Sequence, residues 1–236
     1  MKFTFLSLFP SLISGYFGDS ILKKAIDSKL IEVEIIDFRA FSTSKHKKVD
    51  NYQASGGAGL VICGDVLETA LKEIATKESH IIYLTPVAKR FLQCDAIRLA
   101  QNYKHIIFIC GRYEGIDERI VEAFVDEVFS IGDYILTGGE IASLVLCDCI
   151  SRQIPQVLGN AESLCGESFE HHLLESPIFT KSINNAKNVA NLGIPSEYIK
   201  GNHAKINALK YQFSLFKTKY FRPDLYNFHK RIKNAK

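Results

Sequence analysis

Three glycine-rich segments of this 236-residue chain are placed where backbone groups can grip a ligand: "SGGAG" (Ser55–Gly59), "GRYEG" (Gly111–Gly115) and "GDYILTGG" (Gly132–Gly139). Glycine in a loop lets N–H and C=O groups approach a bound molecule closely. None of the three reads GxxxxGK[ST], and none is a GxGxxG between a first strand and its helix. A phosphate-gripping loop is therefore excluded, and a nicotinamide domain has little support. The second segment lies inside "HIIFICGRYEGIDERI" (His105–Ile120), where Arg112, Glu114, Asp117, Glu118 and Arg119 crowd into eight positions behind an apolar run. A metal site does not alternate its charges in this way. For any one segment a tight turn is the simpler reading. Two of them, however, directly follow strand-like runs, and open α/β sheets bind ligands at the carboxyl ends of their strands.

The elements that must position these loops alternate along the chain. Strand-like runs occur at Phe3–Phe9, Ile31–Phe38, His80–Pro86, His105–Gly111 and Val125–Gly132, with amphipathic helical patterns over 11–27, 65–77 and 91–103. This order predicts an α/β fold with a mostly parallel sheet. The runs near Tyr83 and Phe108 are apolar on both faces, as central strands are. A further helix is expected from Gly138, with Glu140 in its first turn, where the helix dipole favours a carboxylate. "GNAESLCGESFEHH" (Gly159–His172) has no apolar period and reads as a mobile surface loop. Beyond Pro177 the chain turns basic and helical, and Ile206, Leu209, Phe213 and Phe216 mark one face to be buried.

Composition sets the outer limits. The apolar share of 47% and a net charge of +3 describe a chain with a proper core that permits, without demanding, an anionic partner. The six cysteines include no CxxC and read as reduced, buried thiols. "CDC" at Cys147–Cys149 lacks a second pair of ligands. "MKFTFLSLFP" imitates a secretory signal, but Pro10 interrupts it and no small-residue cleavage site follows. No apolar run approaches the ~20 residues of a spanning helix, so no membrane is expected and the expected location is the cytoplasm.

Read in order, "SLFP" (Ser7–Pro10), "YLTP" (Tyr83–Pro86), "CGRYEGIDER" (Cys110–Arg119), "SIGDYILTGGE" (Ser130–Glu140), "SRQIPQVLGN" (Ser151–Asn160) and "KGNHAKI" (Lys200–Ile206) resemble the bacterial tRNA (guanine-N1)-methyltransferases, the TrmD family of the SPOUT superfamily. The resemblance implies an enzyme that moves a methyl group from S-adenosyl-L-methionine to N1 of guanosine 37 of tRNA, beside the anticodon. It implies a homodimer with the active site shared between subunits, and a parallel-sheet SPOUT fold with a deep trefoil knot plus a small helical C-terminal domain. Chains ordinarily do not thread themselves, so the knot rests on the likeness alone. The expected parts are a knotted catalytic and cofactor-binding domain over 1–158, a mobile interdomain loop over 159–176 and a helical tRNA-binding domain over 177–236. The alternative is an RNA-binding SPOUT protein with another methyl acceptor or no catalysis.

Site residues follow from the same likeness. Tyr83, Leu84, Thr85 and Pro86, then Gly111, Tyr113, Glu114 and Gly115, then Ile131, Gly132, Asp133, Tyr134, Ile135 and Leu136 are expected around the methyl donor, with Gly138 and Gly139 behind it. Arg112, Glu114 and Asp117 are expected to face the partner subunit or the tRNA. Guanine N1 carries a proton, so the reaction needs a general base and a cationic donor for the charge growing on O6. Arg152 matches the family's assisting arginine. The family's aspartate base has no match: aligning on Ser168–Phe169 puts Glu167 in its place, one methylene longer and of similar intrinsic pKa. Glu162, Glu170 and His171 are the fallbacks. The likeness also makes His46 and Asp50 expected substrate contacts, although the neighbouring "YQASGGAG" (Tyr52–Gly59) departs from the family pattern. Some family members depend on magnesium; no ligand set is inferred, with Glu114 a conceivable participant. "STSKHKK" (Ser42–Lys48) and the basic helices offer phosphate contacts to tRNA.

Overall fold

A computed structural model describes residues 1–164, 166–180 and 193–234, without the side chains of 161 and 162. The chain divides into two compact units, Met1–Gly159 and Asn160–Lys236. The first contains β1 (Lys2–Ser7), α1 (Pro10–Ser14), α2 (Ser20–Asp27), β2 (Glu32–Asp37), β3 (Asp50–Tyr52), β4 (Leu60–Ile62), α3 (Gly64–Ile74), β5 (Ser79–Leu84), α4 (Gln93–Asn102), β6 (His105–Ile109), α5 (Glu118–Phe124), β7 (Glu127–Phe129) and α6 (Glu140–Ser151). The second contains α7 (His203–Phe221) and α8 (Pro223–Asn234).

Five strands form one sheet in the order β2-β1-β6-β5-β7, every neighbouring pair parallel. Side chains alternate across a pleated sheet, and here both faces are covered. Phe3, Phe5, Phe108 and Ile82 pack with Ile13, Leu99, Leu146 and Ile150 of α1, α4 and α6. Leu6, Ile107, Ile109 and Tyr83 pack with Val66, Leu67 and Leu71 of α3 and Ile120 of α5. The strands that are apolar on both faces, β5 and β6, are interior to the sheet, as their composition requires.

Several expectations are revised. The helix over 11–27 is broken: a 3-10 turn at Gly15–Phe17 intervenes, and Asp19 starts α2 afresh by accepting from the Ser20 N–H. The strand expected over Val125–Gly132 shrinks to Glu127–Phe129. The β3–β4 hairpin and α5 were not foreseen. Cys94 is exposed rather than buried, and Cys165 lies outside the described residues.

Edge strand β7, which leads into the third glycine segment, is anchored by charge. Arg98 Nη1 and Nη2 donate to Glu127 at 2.9 and 2.7 Å, and His80 Nε2 lies 2.8 Å from Oε1. Burial alone would raise the Glu127 carboxyl, but the hydrogen bonds from Arg98 and His80 outweigh it and hold the group below its ordinary range. A carboxyl held low stabilises the fold fully above its unfolded value of about 4.3, and the contribution is lost as pH falls through the lower folded value. Glu127→Gln should cost about 1–2 kcal/mol at pH 7, between the exposed and buried limits for ion pairs. Urea midpoints should show that penalty shrinking toward pH 3. A penalty equal at both pH values would mean that the charge is not what anchors the strand.

In the second unit, an extended segment runs along α7. The Leu174 N–H donates to Thr218 Oγ1 at 2.8 Å, and Ser214 Oγ donates to the Leu174 carbonyl. Thr218 is fully buried, while Phe216 is 65% exposed. The buried face of α7 is therefore rotated from the one expected: Ile206, Leu209 and Phe213 are half-buried and Phe216 is not part of it. The cause is that Ser214 and Thr218 satisfy an extended backbone, a contact that apolar spacing does not report. Pro223 opens α8 at the helical position that needs no N–H.

Candidate active site at the carboxyl ends of the strands

A cavity of about 300 Å³ lies where the loops after β5, β6 and β7 meet, lined by residues 83–87, 111–115, 129–132 and 134–139, and Ala142 of α6. These three strands are neighbours, so their carboxyl ends converge, which is where such sheets bind ligands.

The loops are tied to one another through their backbones. Thr85 N donates to Phe129 O at 3.0 Å, Phe91 N to Ser130 O at 2.8 Å and Ser130 N to Lys89 O at 2.8 Å. Gly139 N donates to Gly111 O at 2.9 Å, joining the second glycine segment to the third. A Cβ on Gly139 would sit 2.9 Å from Gly111 N and 3.0 Å from Cys110 Cα, and one on Gly138 would fall inside the Arg112 side chain. Glycine is thus required for close backbone approach at Gly139, while a side chain at Gly138 would have to displace Arg112. Tyr83 is buried beneath the second loop, and burial raises its phenol. Cys110, directly before Gly111, is fully buried beside Ser143 and raised to about 12 by burial, so it remains a thiol and no nucleophile.

One charged pair is built into the wall. Arg112 Nε donates to Glu140 Oε1 at 3.1 Å, and Nη2 lies 2.9 Å from Oε2. That second approach is a close ion contact without an aligned hydrogen bond. Ser7 Oγ donates to Oε1 at 2.7 Å, Arg112 Nη1 donates to Thr137 O at 3.1 Å, and the guanidinium lies 4.6 Å from the Phe9 ring centroid. Glu140 is only 1% exposed.

Fifteen of the sixteen residues expected around the donor line the cavity: Tyr83, Leu84, Thr85, Pro86, Gly111, Tyr113, Glu114, Gly115, Ile131, Gly132, Tyr134, Ile135, Leu136, Gly138 and Gly139. Asp133 does not; its carboxylate is turned outward to Arg90. Arg112 is paired with Glu140, a buried counter-ion. Asp117 caps α5 and pairs with Arg119 at 2.6 Å. The Tyr113 hydroxyl is raised by burial and by the neighbouring Asp50 carboxylate. This sets one expected substrate contact beside the cavity wall, and Tyr113 holds a left-handed φ of 58° there. His46 is in an exposed turn. Arg152 ends α6, half-buried, its N–H bonded to Asp148 O at 3.0 Å.

Glu167 belongs to the second unit and is half-buried. Glu170, a fallback, is occupied locally: its carboxylate accepts from the Gly166 N–H and lies 3.5 Å from His171. The Glu162 side chain lies outside the described residues. Sequence reasoning missed Val87, Arg112, Phe129, Ser130, Thr137 and Ala142 as residues lining the donor cavity. Val87, Arg112, Ser130 and Thr137 each adjoin an expected one, so adjacency was the available signal for them, and none pointed to Phe129 or Ala142.

The cavity suits a small, partly apolar cofactor gripped by backbone: it is at the lower end of the range for such sites and offers the aliphatic Leu84, Val87, Ile131, Ile135 and Leu136 beside glycines. Among the described residues no three carboxylate, imidazole or thiol groups converge to hold a metal ion. Comparison with known proteins agrees on one family. A profile described as tRNA (Guanine-1)-methyltransferase TrmD matches residues 1–228. A tRNA (guanine-N(1)-)-methyltransferase from Wolinella succinogenes is 59% identical over 98% of this chain and 96% of its own length. Those from Nitratiruptor sp. and Helicobacter pylori are 56% and 49% identical, covering 100% and 98% of this chain and all of their own.

Proposed function

The chain belongs to the tRNA (guanine-1)-methyltransferase TrmD family, and from that premise we propose that it methylates N1 of guanosine 37 in tRNA with S-adenosyl-L-methionine as donor. It is a methyltransferase enzyme acting on tRNA. The observation that supports the donor assignment is that fifteen of the sixteen residues expected around it line one cavity, in whose wall Gly139 approaches the Gly111 backbone too closely for a Cβ.

When bound, S-adenosyl-L-methionine supplies a methyl group activated by its sulfonium. The chain's own residues do the rest. Backbone groups of the 83–87 and 131–139 loops bind the cofactor without long side chains intruding. Glu167 accepts the N1 proton as the nitrogen takes the methyl, and Arg152 stabilises the negative charge moving toward O6. Positioning of the acceptor in line with the departing sulfur supplies much of the remaining acceleration. No step is assigned to magnesium, since no ligand set among the described residues supports one.

The finer parts of the reading are the trefoil knot, the homodimer with a shared active site, the tRNA-binding role of the second unit and the cytoplasmic location. The backbone ties between the 85–91 and 129–130 segments, and between Gly111 and Gly139, are compatible with a threaded chain. Exposed Leu12, Tyr16, Ile141 and Val145 offer a second copy an apolar surface. Lys205, Lys210, Lys219 and Arg222 are exposed on the second unit, as phosphate contacts must be. Among the described residues, no helix is long and apolar enough to cross a membrane.

The test is incubation with labelled donor and an unmodified transcript carrying guanosine at position 37, followed by nucleoside analysis. 1-Methylguanosine is expected, and a transcript with adenosine at that position should stay unmodified. Label appearing in another nucleoside would overturn the acceptor assignment.

A further inference from the structure

The charged side chains lining the cavity are Arg112 and Glu114. Arg112 anchors the wall by donating to Thr137 O. An isolated cation in that position is nevertheless a poor neighbour for a ligand whose reacting sulfur is itself positive. A wall serving only as structure has a simpler solution, because apolar residues of similar volume often replace a buried ion pair at no loss of stability. Here the pair is retained, with Glu140 all but inaccessible and held in place by Ser7. Its effect is to cancel the Arg112 charge and leave Glu114 to set the sign of the lining. The methyl donor and its thioether product differ by one methyl group and by one positive charge on sulfur, so wall charge acts on the first more than on the second.

Resting on the donor reading above, we propose that Glu140 is a specificity-determining residue: it neutralises Arg112 so that the cavity admits a sulfonium ligand instead of favouring the uncharged thioether. The role is distinct from holding the loop in shape, which serves donor and product alike.

Calorimetry with S-adenosyl-L-methionine and S-adenosyl-L-homocysteine, on the full chain, separates the two roles. Glu140→Gln should weaken the donor roughly tenfold more than the product, equivalent to about 1.4 kcal/mol. Arg112→Gln should move the ratio of the two affinities the other way, toward the donor. The double variant Arg112→Gln/Glu140→Gln should return the ratio close to that of wild type. Equal weakening of both ligands in Glu140→Gln would make the residue merely structural and overturn the proposal. Should Glu140→Gln fail to fold, Arg112→Gln decides alone, and an unmoved ratio there overturns the proposal. Wild-type protein that binds neither ligand would sink the donor reading, and this inference with it.

Discussion

Replacing Glu167 with alanine should lower the rate of methyl transfer by about 10²–10⁴, the usual worth of a general base, with donor affinity left near that of wild type. In neutral guanine N1 is bonded to hydrogen and its lone pair is delocalised toward O6, so the nitrogen becomes an effective nucleophile only as a base takes that proton. Glutamine keeps the shape of Glu167 but accepts no proton, so Glu167→Gln should fall as far as alanine. Glu167→Asp restores the family's usual side chain and should recover much of the rate. Single-turnover methylation with saturating donor reads the step directly. An alanine variant that transfers methyl near the wild-type rate removes Glu167 from the role. Glu170, whose carboxylate accepts the Gly166 N–H, is then the next carboxylate to replace.

Gly139→Ala should be the most damaging small substitution in the first unit. The new methyl would meet Gly111 N at 2.9 Å and Cys110 Cα at 3.0 Å. Both are backbone atoms, so no side-chain rotation relieves the clash. The 137–139 loop has to move away from β6, breaking the Gly139–Gly111 hydrogen bond and opening the cavity wall. Overpacking and the lost bond together should cost about 2–4 kcal/mol. Donor affinity should fall about 100-fold, equivalent to some 2.8 kcal/mol. Gly159→Ala is the control: nothing lies within 4 Å of its Cβ, and its melting temperature should match that of wild type. Should the two variants melt alike and Gly139→Ala bind donor normally, the glycine contact is not what shapes the site.

How much of this was legible differs from element to element. β1, β2, β5 and β6 announce themselves because each is a five- or six-residue run rich in apolar residues, long enough to show its burial. β3 and β4 have three residues each, too few for an alternation to register. Helix α5 was hidden by its own charges, although Asp117 is an ordinary helix cap whose side chain accepts the Arg119 N–H. At the site, glycines behind strands pointed to a ligand, but only the family likeness identified the ligand. The direction of Arg112 was not legible, because its counter-ion is twenty-eight residues further on and no spacing rule connects them. Phe216 misled for a related reason: apolar spacing cannot see that Thr218 and Ser214 hold a backbone.

The order β2-β1-β6-β5-β7 also governs how the molecule is born. β1 leaves the ribosome first, yet one of its two flanks belongs to β6, with Lys2 opposite His105. At ordinary translation speeds that partner emerges roughly 5–20 s later. For that interval "FTFLS" carries a bare edge that any stray strand can take. The nascent chain is thus vulnerable along this edge until β6 arrives, and a chaperone that shields β1 guards the assembly of the whole sheet.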